Sequence, residues 1–264
     1  MKNHLDCIRK VVPETICEDK QEKLLKLLEG AKEAVDEAAR QEVDKIQQGS
    51  HYEAEVEQYL ESLLRKNMRK TLYLIQKFIE SGIPTVDIYT EILAESMHRV
   101  GELWHTAKIT VDTEHYCTSV TQVAMAQMYP ALFSTKRKGR KMLCACPGTE
   151  LHEMGARMVA DLFEYDGWDT VYLGAAVPQD AILESIRSEQ PDLIALSVTM
   201  PQHLMTCQEL VEVIRSEFPD AKIAVGGNAF QGTHGIWKKW PIDIYTEDGR
   251  ELLKRANSEI SGRK

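Results

Sequence analysis

The sequence predicts two parts in series: a helical bundle, then a flavodoxin- or Rossmann-like parallel sheet flanked by helices. Before residue 136, apolar side chains recur every three or four positions over long stretches, the spacing of one helix face. After residue 141, short apolar runs alternate with helix-length segments, the pattern of βαβ units and a parallel sheet. The basic run Lys136-Arg137-Lys138-Gly139-Arg140-Lys141 marks the boundary. It reads as a solvated linker, with a phosphate contact as the lesser alternative. The expected organisation is an N-terminal helical extension over 1–50, a four-helix-bundle-type segment over 51–136 and a Rossmann-like domain over 137–264.

Each element has its own signal. A helix fits 19–48, where Leu24, Leu27, Leu28, Ala31, Val35 and Ala38 share a face, and Gly49-Ser50 ends it. A second fits 54–80 and stops at Ser81-Gly82. Pro84, at a first-turn position, starts a third that runs to about Leu103, and a fourth fits 112–133. Short loops between them favour antiparallel packing into a bundle. Strands fit 142–146, 170–173, 193–197, 222–225 and 242–245, with helices between them and one more from about Gly249. Five such strands suggest a flavodoxin-like order, with a ligand at the switch point.

Composition narrows the class. A chain of 264 residues holds one or two domains, each able to bury a core. A net charge of −9 argues against a broad nucleic-acid surface. No apolar run approaches the roughly 18 residues of a membrane span, and the N-terminus lacks a signal-peptide pattern, so a cytoplasmic protein is expected. Cys7, Cys17, Cys117, Cys144, Cys146 and Cys207 show no Cys-x-x-Cys spacing, so neither a zinc site nor a disulfide framework is indicated. Cys144 and Cys146 alternate on the first strand and read as core residues of one face.

The chemistry concentrates after that strand. Glu150-Leu151-His152-Glu153-Met154-Gly155 joins the strand to the next helix, at the end of the sheet where open α/β folds place ligands. An imidazole ligates a metal best when its other nitrogen donates to a carboxylate, and Glu150 lies two residues before His152. Alone, the hexapeptide reads equally as a surface histidine in a polar loop. Gly155 is followed, after forty-one intervening residues, by Ser197-Val198-Thr199 and then, after twenty-six more, by Gly226-Gly227. Adjacent glycines let the backbone approach a buried ligand, and small hydroxyl side chains leave room for one and can hydrogen-bond it.

These residues resemble the cobalamin-binding domain family, with its Asp/Glu-x-His-x-x-Gly loop, Ser-x-Thr/Leu strand end and Gly-Gly turn. The resemblance covers roughly residues 140–260. It implies that His152 replaces the cofactor's own base as the lower cobalt ligand, while the displaced nucleotide tail threads past Ser197, Thr199, Gly226 and Gly227. Gly167-Trp168, Leu173-Gly174 and Pro178 also resemble the family's second strand and its exit loop, although ordinary turn chemistry explains them as well. Glu150 stands where the commoner form has Asp, a feature of the family's photoreceptor branch, which accepts either acid.

The bundle segment sharpens the resemblance. Trp104 is followed by nine residues and then Glu114-His115, a spacing similar to that of the light-sensing, CarH/LitR-type branch. The branch implies a bundle covering the upper cobalamin face, with Trp104 over a 5′-deoxyadenosyl group and Glu114 and His115 lining its pocket. It also implies that His105 binds cobalt from above once light has broken the cobalt–carbon bond, giving a bis-histidine product with His152. The turn after the Trp departs from the family, since Thr106-Ala107-Lys108-Ile109 lacks the usual glycine. Taken singly, Trp104 also reads as a core aromatic and His115 as a capping histidine.

The resemblance implies adenosylcobalamin as cofactor, with methylcobalamin or hydroxocobalamin as the alternative. The branch's MerR-type DNA reader has no counterpart in residues 1–50, which hold nine basic and eleven acidic residues, so direct nucleic-acid binding is not expected. Output is expected through a homo-oligomer or a protein signalling partner. The helix at 19–48 is a candidate docking element, or simply an extra helix packed on the bundle. No catalytic constellation stands out; His203 and His234 lack recognisable partners. The reading is therefore a sensor rather than an enzyme. The alternatives are a corrinoid methyl-carrier subunit of a methyltransferase system and an adenosylcobalamin storage protein.

Overall fold

A computed structural model describes residues 2–46, 51–133 and 135–260. It divides into two compact units, Met1–Gly49 and Ser50–Lys264. The first unit holds α1 (Lys2–Thr15) and α2 (Glu18–Ile46). The sequence pattern foresaw α2 but not α1, because Pro13 inside it argues against a helix. Val12 and Leu28 are buried, whereas Leu27, expected on the apolar stripe, is 62% exposed. Neighbouring helix positions point about 100° apart, so a single partner helix covers Leu28 and misses Leu27. The side chains of Val35 and Ala38, and the Gly49-Ser50 punctuation, lie outside the described residues.

The second unit opens with α3 (Glu53–Leu64) and α4 (Met68–Glu80). The sequence suggested one helix over 54–80; the structure breaks it at Arg65–Asn67. Lys66 turns left-handed at φ +53°, and the Asn67 side chain caps α4 by accepting the Lys70 N–H at 3.0 Å. A short turn, α5 (Thr85–Asp87), leads through a π-helical turn, Ile88–Leu93, into α6 (Ala94–His105). Then come α7 (Val111–Ala126) and the short α8 (Tyr129–Leu132), where one helix to Phe133 was expected. Tyr59, Leu63, Ile75, Ile88, Ile92, Val100 and Cys117 fill the bundle core.

Helix α6 closes in a Schellman cap. The Lys108 N–H donates to the Leu103 carbonyl at 2.8 Å and the Ala107 N–H to the Trp104 carbonyl at 2.9 Å. This cap needs a left-handed residue, and Ala107 supplies it at φ +55°. The turn thus forms without a glycine and puts strain on an alanine. Ala107→Gly is expected to stabilise the protein by about 0.5–1 kcal/mol, since relief of the left-handed alanine outweighs glycine's entropy cost. A urea midpoint unchanged or lowered in that variant would contradict this.

The sheet part runs β1 (Lys141–Pro147), α9 (Met154–Tyr165), β2 (Asp169–Val177), α10 (Gln179–Glu189), β3 (Leu193–Ser197), α11 (Leu204–Glu217), β4 (Ile223–Gly226), β5 (Ile244–Tyr245) and α12 (Gly249–Glu259). The strand order is β2-β1-β3-β4-β5, with every pairing parallel. This is the flavodoxin-like order, and its switch point lies between β1 and β3. Strand β1 is buried on both faces, as a central parallel strand must be. Leu143 and Ala145 pack with α10 and α11, while Met142, Cys144 and Cys146 pack with α9 and α12.

Helix α9 joins the two parts by burying both its sides. Ala156, Ala160 and Phe163 face the sheet, and Met158 and Leu162 enter the bundle core. The Tyr89 hydroxyl donates to Asp161 at 3.1 Å, and Arg250 donates to Asp87 at 2.7 Å. Burial pushes the Asp161 carboxyl up to about 6, against the opposing pull of Arg157 and Tyr89.

The basic run is exposed over residues 136–139, as a solvated linker should be, but it is also fastened. Arg137 pairs with Glu164, Lys138 meets Asp166 at 2.5 Å and Arg140 donates to Asn257 at 3.0 Å. These contacts fasten the run along α9 and α12, which leaves little of it for a phosphate. Among the described residues, no helix is long and apolar enough to cross a membrane.

Candidate functional site

The switch point is built by two loops that meet over one carboxylate. Glu150 follows β1 and is completely buried, an unusual position for an acid. Its Oε2 accepts the backbone N–H groups of Thr199 at 2.9 Å and Met200 at 2.8 Å, both just beyond β3. Its Oε1 accepts the His152 N–H at 3.0 Å and lies 2.7 Å from His152 Nδ1. Burial alone would raise the Glu150 pKa; the hydrogen bonds from His152, Met200 and Thr199 outweigh it and hold the carboxyl below its ordinary value. An ionised Glu150 only accepts, so the His152 Nδ1–H donates to it, which leaves Nε2 as the nitrogen that can ligate. The His152 side chain is 53% exposed.

The third loop completes the edge. Ser197 pairs in register with Gly226, and the Val198 N–H donates to the Gly226 carbonyl at 2.9 Å. Gly227 adopts φ +103°, where an added Cβ would lie 2.3 Å from the Val198 carbonyl oxygen. At Gly155 an added Cβ would meet nothing within 4 Å. The protein's own packing therefore requires glycine at 227 but not at 155. Leu151, next to the histidine, is 71% exposed, and Met205, beyond the β3 exit, is 60% exposed.

Three groups of residues thus emerge. Glu150, His152, Ser197, Thr199, Gly226 and Gly227 share the carboxyl edge of the sheet. Trp104 and His105 sit together in the last turn of α6, their rings 4.9 Å apart, with Trp104 41% exposed. Glu114 and His115 open α7, where Glu114 Oε2 lies 2.5 Å from His115 Nδ1 and Glu114 Oε1 accepts from Thr118 at 2.9 Å. Among the described residues, no hydrogen bond or ring contact joins Trp104, His105, Glu114 or His115 to His152. A link the sequence did not suggest runs from α7 to the histidine's loop, where Gln122 donates to Glu153 at 3.2 Å.

The donor set has a clear chemical meaning. No cluster of three or more His, Cys, Asp or Glu side chains among the described residues could hold a bare metal ion. A single imidazole, oriented by a carboxylate, suits instead a metal that arrives with its equatorial positions already filled. Cobalt in a corrin ring is such a metal, and imidazole nitrogen is a compatible axial ligand. The residues present therefore fit the group.

A helical bundle packed on this sheet, with one carboxylate-held histidine at the switch point, is the architecture of a corrinoid-binding protein. Residues 140–249 match the B12 binding domain family and residues 55–129 match a second B12 binding domain family. The chain belongs to the cobalamin-binding domain family. It is similar to the HTH-type transcriptional repressor CarH of Myxococcus xanthus, with 24% identity over 62% of this chain and 55% of the repressor. It is similar as well to monomethylamine corrinoid protein 2 of Methanosarcina acetivorans, with 22% identity over 76% of this chain and 94% of that protein. In fold it resembles the monomethylamine corrinoid protein of Methanosarcina barkeri, with a TM-score of 0.67 at 21% identity over 76% of this chain and 95% of that one. The chain thus spans little more than half of the repressor but nearly the whole of these two corrinoid proteins.

Proposed function

We propose that this protein is a light sensor that binds adenosylcobalamin. The observation that carries the reading is the end of α6, where Trp104 and His105 are exposed beside each other rather than packed in the bundle core. A large aromatic left 41% exposed is available to cover a ligand. In this reading His152 binds cobalt from below, Trp104 covers the adenosyl group and Glu114 accepts hydrogen bonds from its ribose, beside His115. Ser197, Thr199, Gly226 and Gly227 make room for the nucleotide tail, and Gly155, where an added Cβ meets no protein atom within 4 Å, leaves space beside the ligand. When bound, the cofactor supplies a cobalt–carbon bond that light can break. His105 is then the imidazole on hand for the upper position once the adenosyl group has left. The signal passes through altered assembly of copies or through a protein partner, as a two-state equilibrium biased by ligand loss.

A second reading has an observation of its own. The relatives covered almost end to end are named corrinoid proteins, which favours a methyl carrier for a methyltransferase system. A carrier needs an open upper face, which a Trp104 cap would oppose.

Absorption spectra of the purified protein, loaded with adenosylcobalamin in darkness and then exposed to green light, separate the two. A stable conversion to a six-coordinate, nitrogen-ligated spectrum supports the sensor. Refusal of the adenosyl form, with tight uptake of methyl- or hydroxocobalamin, favours the carrier. In His105→Leu the dark binding is expected to persist while the bis-imidazole spectrum after illumination is lost; an unchanged lit spectrum removes His105 from the upper site.

A further inference from the structure

We infer that Glu153 is a positioning residue for cobalt ligation, the anchor that fixes the peptide carrying His152. The inference rests on the reading of His152 as the lower ligand. Glu153 occupies the N-cap position of α9, yet its side chain makes no cap hydrogen bond to that helix. Glutamate is a poor capping residue, and here its carboxylate turns to other elements. Glu153 Oε2 accepts the Tyr172 hydroxyl at 3.0 Å and the Ala175 N–H at 3.1 Å, both on β2. Glu153 Oε1 accepts from Gln122 on α7 at 3.2 Å. Gly174 makes room for this approach, since an added Cβ there would lie 3.3 Å from Glu153 Oε2.

His152 therefore stands between two anchored carboxylates with different attachments. Glu150, two residues before, ties the loop to the exit of β3 and fixes the ring. Glu153, one residue after, ties the same loop to β2 and to the bundle. Without the second anchor the loop keeps the backbone bond from the Ala176 N–H on β2 to the Glu150 carbonyl at 2.8 Å, but the residue next to His152 loses its side-chain ties to β2 and to the bundle, and the imidazole loses orientation that a short metal bond demands. The Tyr172 phenol stays protonated, its pKa raised by burial and by Glu153, so it remains a donor. A cavity of about 290 Å³ lined by Gln122, Met125, Tyr129, Glu153 and Arg157 lies along this seam. It leaves the Glu153 anchor without close packing on one side, so hydrogen bonds rather than contacts hold it.

The test uses the full chain loaded with cobalamin and reduced to the cob(II) state, with histidine labelled by nitrogen-15. Electron paramagnetic resonance then distinguishes a protein imidazole on cobalt (a doublet) from the cofactor's own base (a triplet). In the unmutated protein a doublet is expected; a triplet there would overturn the His152 reading itself. In Glu153→Ala the doublet is expected to weaken and cobalamin affinity to fall roughly 10-fold, the lower end for loss of an orienting partner. Glu153→Gln, which keeps an acceptor for Ala175, is expected to recover part of both. Tyr172→Phe removes one donor without touching Glu153 and carries the test if Glu153→Ala fails to fold. A full doublet and unchanged affinity in a folded Glu153→Ala, or in Tyr172→Phe should that variant carry the test, would overturn the inference. So would a loss of thermal stability alone.

Discussion

Glu150→Ala is expected to destabilise the ligand-free protein by about 3 kcal/mol and to weaken cobalamin binding 10- to 100-fold. The substitution leaves the buried N–H groups of Thr199 and Met200 without their acceptor, and frees the His152 ring. Each abandoned buried donor costs on the order of 1–3 kcal/mol unless water reaches it. Glu150→Gln should fall between, because its oxygen can still accept while its NH2 confronts a donor. Stability should also depend on acidity in a definite direction. The folded pKa of Glu150 lies below its ordinary 4.5, so its contribution is complete above that value and is lost as pH falls through the folded pKa. In Glu150→Ala this acid-side loss should shrink. Urea unfolding across pH, paired with cobalamin titration, measures both effects. Wild-type values in Glu150→Ala would remove the carboxylate from its anchoring role.

Gly227→Ala is expected to cost at least about 3 kcal/mol, or to prevent folding altogether. At φ +103° the new Cβ would lie 2.3, 2.8 and 2.9 Å from the carbonyl oxygen, carbonyl carbon and nitrogen of Val198. All three are backbone atoms, so no side-chain rotation relieves the clash. Val198 lies between Ser197 and Thr199, and pushing it away also draws the Thr199 N–H from Glu150. Gly232 is the control: an added Cβ there meets nothing within 4 Å, and its replacement by alanine should leave the urea midpoint nearly unchanged. Equal midpoints for the two variants would show that the Gly227 turn can relax.

Much of this architecture was legible because apolar periodicity reports burial. The β1 and β3 runs are central strands covered on both faces, and both were read to within a residue or two of their ends. Segments whose shape depends on local backbone geometry were less legible. Arg65 and Lys66 are good helix formers, so nothing in their type announced the left-handed turn at Lys66; Asn67 was the available cue. At the candidate site the side chains of Glu150 and His152 could be picked out by spacing. Their partners could not, because the Thr199 and Met200 contacts come from backbone N–H groups that every residue but proline carries. Glu153 and Gln122 escaped notice for a related reason. Each looks like an ordinary surface polar residue until the fold sets α7 against the β1 exit.

The π-helical turn at Ile88–Leu93 bears on where the end of α6 points. Ile88, Ile92, Ser96 and Val100 are buried at intervals of four. An α-helix advances about 100° per residue, so such a row slips about 40° at every step and would spiral off the core face. The wider turn holds one residue more than an α-helical register allows and takes back part of that slip. It thereby sets the phase between two ends of one continuous rod. At one end Asp87 and Tyr89 grip the sheet part; at the other stand Trp104 and His105. Deleting a single residue from α6 itself, which has no such extra residue to give up, would rotate the far end by about 100° against the near one. The aim of His105 is therefore fixed several turns before the chain reaches it.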